Sequence, residues 1–160
     1  MGARIGVVGC SSRIKGLLSR MQKIGGNFEV SALCDPDPEQ VRAFREQFNP
    51  EARVFTESRD LARSPDVDWV AVGAWNSLHT SHAIEAFDAG KDVFCEKPVA
   101  VDLDQCAALK QAYLASGRRL IIGFTLRYTR QYRKIRELID AGRIGDIVSF
   151  EFNETLDFNH

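Results

Sequence analysis

Two residues set the first chemical possibility in this chain. Gly9 ends the short apolar run Arg4-Ile5-Gly6-Val7-Val8, and helical spacing follows through Leu17, Leu18 and Met21. Asp35 closes a second apolar run, Phe28 to Cys34. A glycine between strand and helix lets the chain turn sharply, so that the first amides of the helix face an anion such as a pyrophosphate. An acidic side chain at the end of the next strand can accept hydrogen bonds from ribose hydroxyls. The pair therefore suits a dinucleotide. The glycine fingerprint is incomplete: in Gly9-Cys10-Ser11-Ser12-Arg13-Ile14 only the first glycine is kept, with Ser11 and Ile14 at the third and sixth places. A plain strand-to-helix turn and an Asp-Pro turn at Asp35-Pro36 are the structural alternatives. Three later clusters carry reactive side chains: Asn76 and His79 in Ala74-Trp75-Asn76-Ser77-Leu78-His79, the triplet Glu96-Lys97-Pro98, and Arg127-Tyr128.

These residues need elements to hold them. Beyond the first two strands, a helix is predicted over 38–48, a brief strand at Val54-Phe55, a short helix over 57–63 and a buried strand over 68–72. A helix over 77–89 stops at Gly90, a strand follows over 91–95, a helix over 102–115 ends before Gly117, and a sixth strand covers 119–123. Strands alternating with helices, with no hairpin turns, imply a doubly wound parallel α/β sheet covered on both faces. The clusters after the fourth, fifth and sixth strands then lie at its carboxyl edge, where such sheets bind ligands. Past Gly123 the pattern changes to a loop, a helix over 130–141 and a strictly alternating stretch, Ile147 to Asn153, in which Val148, Phe150 and Phe152 share one side. It reads as the opening strand of a different, α+β domain.

The chain has 160 residues and a net charge of −1, with arginines scattered rather than gathered, so nucleic acid is not an expected partner. The first apolar stretch is too short for a signal peptide or membrane span, and a cytoplasmic location is expected. Cys10, Cys34, Cys95 and Cys106 show neither metal-ligand nor dithiol spacing. They read as reduced thiols, and no metal site is expected.

Along its whole length the chain resembles the glucose-fructose oxidoreductase and inositol dehydrogenase (Gfo/Idh/MocA) family. The resemblance rests on the glycine turn, Asn76-x-x-His79, Ala89-Gly90-Lys91-x-Val93-x-Cys95-Glu96-Lys97-Pro98, Gly123-Phe124-x-x-Arg127-Tyr128 and Ile144-Gly145-x-Ile147, in that order. It implies an NAD(P)-binding Rossmann domain over 1–124, with 125–160 forming an inter-domain helix and the start of a truncated substrate domain. It also implies that Lys97 is the catalytic residue, exchanging a proton with the reacting hydroxyl or carbonyl after desolvation lowers its pKa. Gly9, Ser11, Ser12, Arg13, Ile14, Asp35, Asn76, His79, Glu96, Lys97 and Pro98 fall on cofactor-side positions, and Arg127 and Tyr128 on substrate-side ones. Ser11 and Ile14 replace small residues beside the pyrophosphate. For Asn76 and His79 a helix-start or buried hydrogen-bonding role competes, and for Arg127 a tie between domains.

The function implied is hydride transfer between NAD, with NADP disfavoured, and a small sugar or cyclitol in a homo-oligomer. The chain alone is expected to bind the cofactor without turnover, and its exposed alternating segment to self-associate. Two readings stay open beside it: an NAD-dependent glycosidase of the same family, and a non-catalytic dinucleotide-binding or regulatory module. The Asp35 carboxylate can bond a free ribose 2′-hydroxyl but repels a 2′-phosphate bearing nearly two negative charges. NADH is therefore expected to bind more tightly than NADPH in a fluorescence titration. Arg13→Ala is the control, because this cation in the helix-opening turn could neutralise the phosphate; equal or tighter NADPH binding would remove Asp35 as the discriminator.

Overall fold

A computed structural model describes residues 2–153. The chain forms two compact units, Met1–Gly123 and Phe124–His160. In the first, strands β1 (Ala3–Val8), β2 (Phe28–Cys34), β3 (Arg53–Val54), β4 (Trp69–Val72), β5 (Asp92–Cys95) and β6 (Leu120–Ile122) alternate with helices. The helices are α1 (Ser12–Lys23), α2 (Pro38–Gln47), α3 (Ser58–Arg63), α4 (His79–Asp88) and α5 (Leu103–Ser116). All pairings are parallel, in the order β3-β2-β1-β4-β5-β6. Successive side chains in a strand point to opposite faces, and both faces are covered. Val7 packs with Ile14 and Leu18 of α1 and Val41 and Phe44 of α2. Its neighbour Val8 packs with Leu61 of α3, Ala83 and Phe87 of α4 and Leu109 of α5. This is why the central residues of the strands, Val7-Val8, Ala32-Leu33-Cys34 and Val70-Ala71-Val72, read as continuous apolar runs rather than as alternating ones.

The elements fall close to their predicted bounds, with one local difference. The helix predicted from Ser77 begins with a 3₁₀ turn, Asn76–Leu78, and becomes α-helical at His79. Helices α2 and α5 start at side-chain caps: Asp37 accepts from the Glu39 amide at 2.9 Å and Asp102 from the Gln105 amide at 2.7 Å. Beyond β1 the sheet grows to one side through β2 and to the other through β4, and the helices that follow β1 and β4 go to opposite faces, leaving a crevice at the carboxyl edge. Among the described residues no helix is long and apolar enough to cross a membrane.

In the second unit a 3₁₀ turn, Thr125–Tyr128, leads into α6 (Arg130–Asp140). The strand expected over 147–153 is corrected: the segment joins no ladder, and Val148, Phe150 and Phe152 are exposed. Alternation supplies a two-sided ribbon, but a strand exists only when a neighbour accepts its backbone hydrogen bonds, and no described residue does. Instead the Phe150 and Phe152 rings meet edge to face, with centroids 5.3 Å apart.

At the amino edge of the sheet, opposite the crevice, charge pairs tie strand starts together. The Asp68 carboxylate accepts from Nε and Nη2 of Arg4 at 3.1 and 2.8 Å and from its backbone N–H at 2.9 Å. These hydrogen bonds, those from the side chain foremost, hold the Asp68 carboxyl down at about 2. A carboxyl whose pKa is lower in the folded state than in the unfolded one, about 3.9, stabilises the fold above the unfolded value and loses that contribution as pH falls toward 2. Melting temperature is therefore expected to drop between pH 4 and pH 2, and to drop less in Asp68→Asn. A variant whose acid limb matches the wild type would show that other carboxylates govern it.

Candidate active site

The turn after β1 is held by a steric and a hydrogen-bonding constraint. Gly9 adopts φ +81°, a left-handed conformation that favours glycine, and a Cβ there would overlap the backbone nitrogen of Ala74 in the turn after β4. Asp35 then fastens the turn to the end of β2. Its Oδ2 accepts from the Cys10 amide at 2.6 Å, while Oδ1 accepts from the Asp37 amide at 2.8 Å. Each carboxylate oxygen has a second lone pair left for a ribose hydroxyl. The Cys10 thiol beneath is pushed up to about 12, first by burial and then by the Asp35 charge, so it is a packed thiol and not a nucleophile.

Ser11 stands at the cap position of α1 but makes no capping hydrogen bond, and its buried Oγ has no partner. Ser12 and Arg13 are exposed in the first turn of α1. The expectation that the Ile14 side chain flanks the pyrophosphate is corrected. Ile14 is fully buried in the core, and a Cβ at Gly73 would overlap its Cγ1. The close packing that the fingerprint's third glycine would allow is achieved here from the other side, with the glycine just past the end of β4.

The triplet Glu96-Lys97-Pro98 follows β5. The Glu96 amide donates to the Val72 carbonyl at 2.9 Å, extending the β4–β5 ladder one residue past β5. Its carboxylate is buried, lies 3.9 Å from Nη2 of Arg13 and fits under β6 because Gly123 has no side chain: a Cβ there would stand 3.0 Å from Oε2. Arg13 thus faces Glu96 rather than standing free. The Lys97–Pro98 peptide is cis. Lys97 is exposed, so the burial expected of it is not supplied by the residues around it.

His79 is 1 % exposed and joins the two loops. Its Nδ1 lies 2.7 Å from the Pro98 carbonyl oxygen and its Nε2 2.9 Å from that of Ala74. Carbonyls only accept, so a neutral ring donates to one of them. The adjacent Thr80 hydroxyl donates to the Val99 carbonyl at 2.8 Å. The first turn of α4 therefore fixes the backbone that carries Lys97; the sequence offered a buried hydrogen-bonding role for His79, and the structure supplies its partners. Asn76 is exposed at the start of the 3₁₀ turn. Arg127 and Tyr128 belong to the second unit, where the Arg127 guanidinium lies 5.6 Å from the Phe124 ring centroid and Tyr128 is exposed.

Between the turns after β1, β2 and β4 runs a groove of ≈ 570 Å³, lined by Gly9, Cys10, Ser11, Asp35, Gly73 and Trp75 among others. The open amides of an uncapped helix, an unpartnered serine hydroxyl and an anchored carboxylate with free lone pairs fit a pyrophosphate and a ribose. The sequence model of an oxidoreductase family with an NAD-binding Rossmann fold, Gfo/Idh/MocA, matches residues 3–124. The chain belongs to this family. It is 37% identical over 146 residues to an inositol 2-dehydrogenase of Burkholderia multivorans, covering 91% of this chain and 43% of that protein. An inositol 2-dehydrogenase 3 of Saccharopolyspora erythraea is 37% identical with the same coverages. Among solved structures, the WlbA dehydrogenase of Bordetella pertussis, in complex with NADH and UDP-GlcNAcA, is 27% identical with a TM-score of 0.82, over 90% of this chain and 41% of that one. A scyllo-inositol dehydrogenase of Lactobacillus casei shares the fold with a TM-score of 0.84 at 24% identity, over 91% and 43% of the two chains. The chain thus spans less than half the length of these Gfo/Idh/MocA relatives.

The contact between Ile14 and Gly73 makes a direct test of this turn geometry. Ile14 is β-branched and stiff, so Gly73→Ala is expected to destabilise the fold by roughly 1–3 kcal/mol, as overpacking does. In an Ile14→Ala background the same change should cost much less. Equal costs in both backgrounds, measured by urea unfolding, would show that the two positions do not press on each other.

Proposed function

We propose that the chain supplies the dinucleotide-binding domain of an NAD-dependent dehydrogenase acting on a hydroxyl of a sugar or cyclitol, or on the corresponding carbonyl. The observation that carries this is the meeting of the Gly9 turn and Asp35 at the β1–β4 crevice, joined by the 2.6 Å bond from the Cys10 amide. The inositol 2-dehydrogenases among the relatives support the substrate class. NAD, when bound, supplies the hydride acceptor. The protein's part is to bind and orient. Asp35 accepts from the ribose, which favours NAD over NADP, and the first amides of α1 face the pyrophosphate. Ser11 gives up no hydrogen bond when its hydroxyl turns outward, so it is free to donate to a phosphate oxygen. Lys97 holds or accepts the substrate proton at Nζ, on a loop fixed by His79 and Thr80. Asn76 and Glu96 border the same edge, and Arg127 and Tyr128 are the substrate-side candidates. A cytoplasmic location fits the four free cysteines.

The chain is expected to bind NADH, seen as a change in nicotinamide fluorescence. Asp35→Ala should weaken binding at least about tenfold, as for loss of hydrogen bonds to a charged group. Ser11→Ala should weaken it less, by roughly 1 kcal/mol. No NADH binding by the unaltered chain would overturn the proposal. Unchanged affinity in Ser11→Ala would remove the serine from the phosphate site and leave the rest standing.

A further inference from the structure

We infer that Trp75 is the surface on which the adenine ring of the bound dinucleotide stacks, a reading that rests on the dinucleotide-binding function proposed above. Trp75 is 81 % exposed. An indole is the largest side chain and is highly buried on average, and the chain's other tryptophan follows that rule. Trp69, at the opposite end of β4, is partly buried with the Arg119 guanidinium 4.6 Å from its ring centroid. Trp75 instead stands on the wall of the groove. Its backbone is ordered there, because its carbonyl accepts from the Leu78 amide at 2.8 Å, closing the 3₁₀ turn. The indole is therefore presented to the groove by fixed backbone.

The composition of the groove decides which part of a dinucleotide it takes. Asp35, the ribose ligand, lies on it, and beyond Asp35 it is walled by Pro36, Thr56, Leu78 and His82, while Glu96, Lys97 and Pro98 take no part in its lining. The reactive lysine is thus outside it, and the groove belongs to the adenosine end. The charged groups along it, Asp35, Asp37 and Glu57, are all acidic. They repel a further phosphate but accept from hydroxyl and amino groups. A neutral, flat base with an exocyclic amine satisfies both the acidic rim and the bare indole. Stacking on an aromatic face is worth enough to be measured: removing such a face typically weakens binding of one base by about 5- to 150-fold.

ADP-ribose and NMN separate the two ends of the ligand, and tryptophan fluorescence with calorimetry separates contact from affinity. ADP-ribose is expected to quench the fluorescence of the unaltered chain, and NMN to leave it unchanged. Trp75→Phe should abolish most of the quench while keeping ADP-ribose affinity within a few-fold. Trp75→Ala should weaken ADP-ribose and NADH about tenfold or more, with the melting temperature unaltered because the side chain packs on little. If Trp75→Ala binds ADP-ribose as tightly as the unaltered chain, or if NMN alone produces the quench, the stacking inference is overturned while the dinucleotide reading stands. If the unaltered chain binds neither ADP-ribose nor NADH, both readings fall together.

Discussion

The turns leaving β1 and β4 approach so closely that neither can carry a side chain at its nearest point. A Cβ at Gly9 would overlap the Ala74 nitrogen, and one at Gly73 would overlap Ile14. Much of the site follows from this contact. Because Gly9 turns the chain at φ +81°, the Cys10 amide comes within 2.6 Å of Asp35, which fixes the carboxylate at the end of β2. Because the β4 turn cannot retreat, Trp75 emerges on the groove wall. The crevice that a doubly wound sheet opens at its strand-order reversal is here bounded by backbone rather than by adjustable side chains, which is the condition for preorganised binding of a phosphate.

A second tier of contacts conveys this order to the loop that bears Lys97. From the start of α4 the Thr80 hydroxyl donates to the Val99 carbonyl, while the His79 ring lies between the Pro98 and Ala74 carbonyls, and Gly123 leaves room for the Glu96 carboxylate at the end of β6. Arg13, on α1, faces that carboxylate at 3.9 Å. The turn after β1 and the loop after β5 are therefore linked by one loose ion pair across the sheet edge, and the 74–78 and 96–99 segments by one buried imidazole. Neither link requires a residue that is itself reactive.

The fold was legible in the sequence wherever a local rule governs. Short continuous apolar runs separated by amphipathic stretches imply a parallel sheet covered on both faces, because strands buried on both sides lose the alternating pattern. Gly117 as a helix stop, with φ +63°, is equally local. The stretch over 147–153 shows the limit of such rules. Its alternation specifies two faces, but strand formation requires a partner, and periodicity within one segment carries no information about the other.

The site divides along the same line. Sequence alone determined that Gly9, Asp35, Asn76, His79 and Glu96-Lys97-Pro98 follow strand ends and so gather at one edge, since strand direction fixes where each loop emerges. Only the tertiary structure decided what each does there. Ile14 occupies the place of a fingerprint glycine, yet it points into the core because the small residue that close packing needs stands across from it at Gly73. His79 proved a buried tie and Trp75 an exposed wall, although the sequence singled out the first and passed over the second. The physical reason is that burial, pairing and free volume belong to residues far apart in the chain, and their spacing along it does not record how closely their backbones meet.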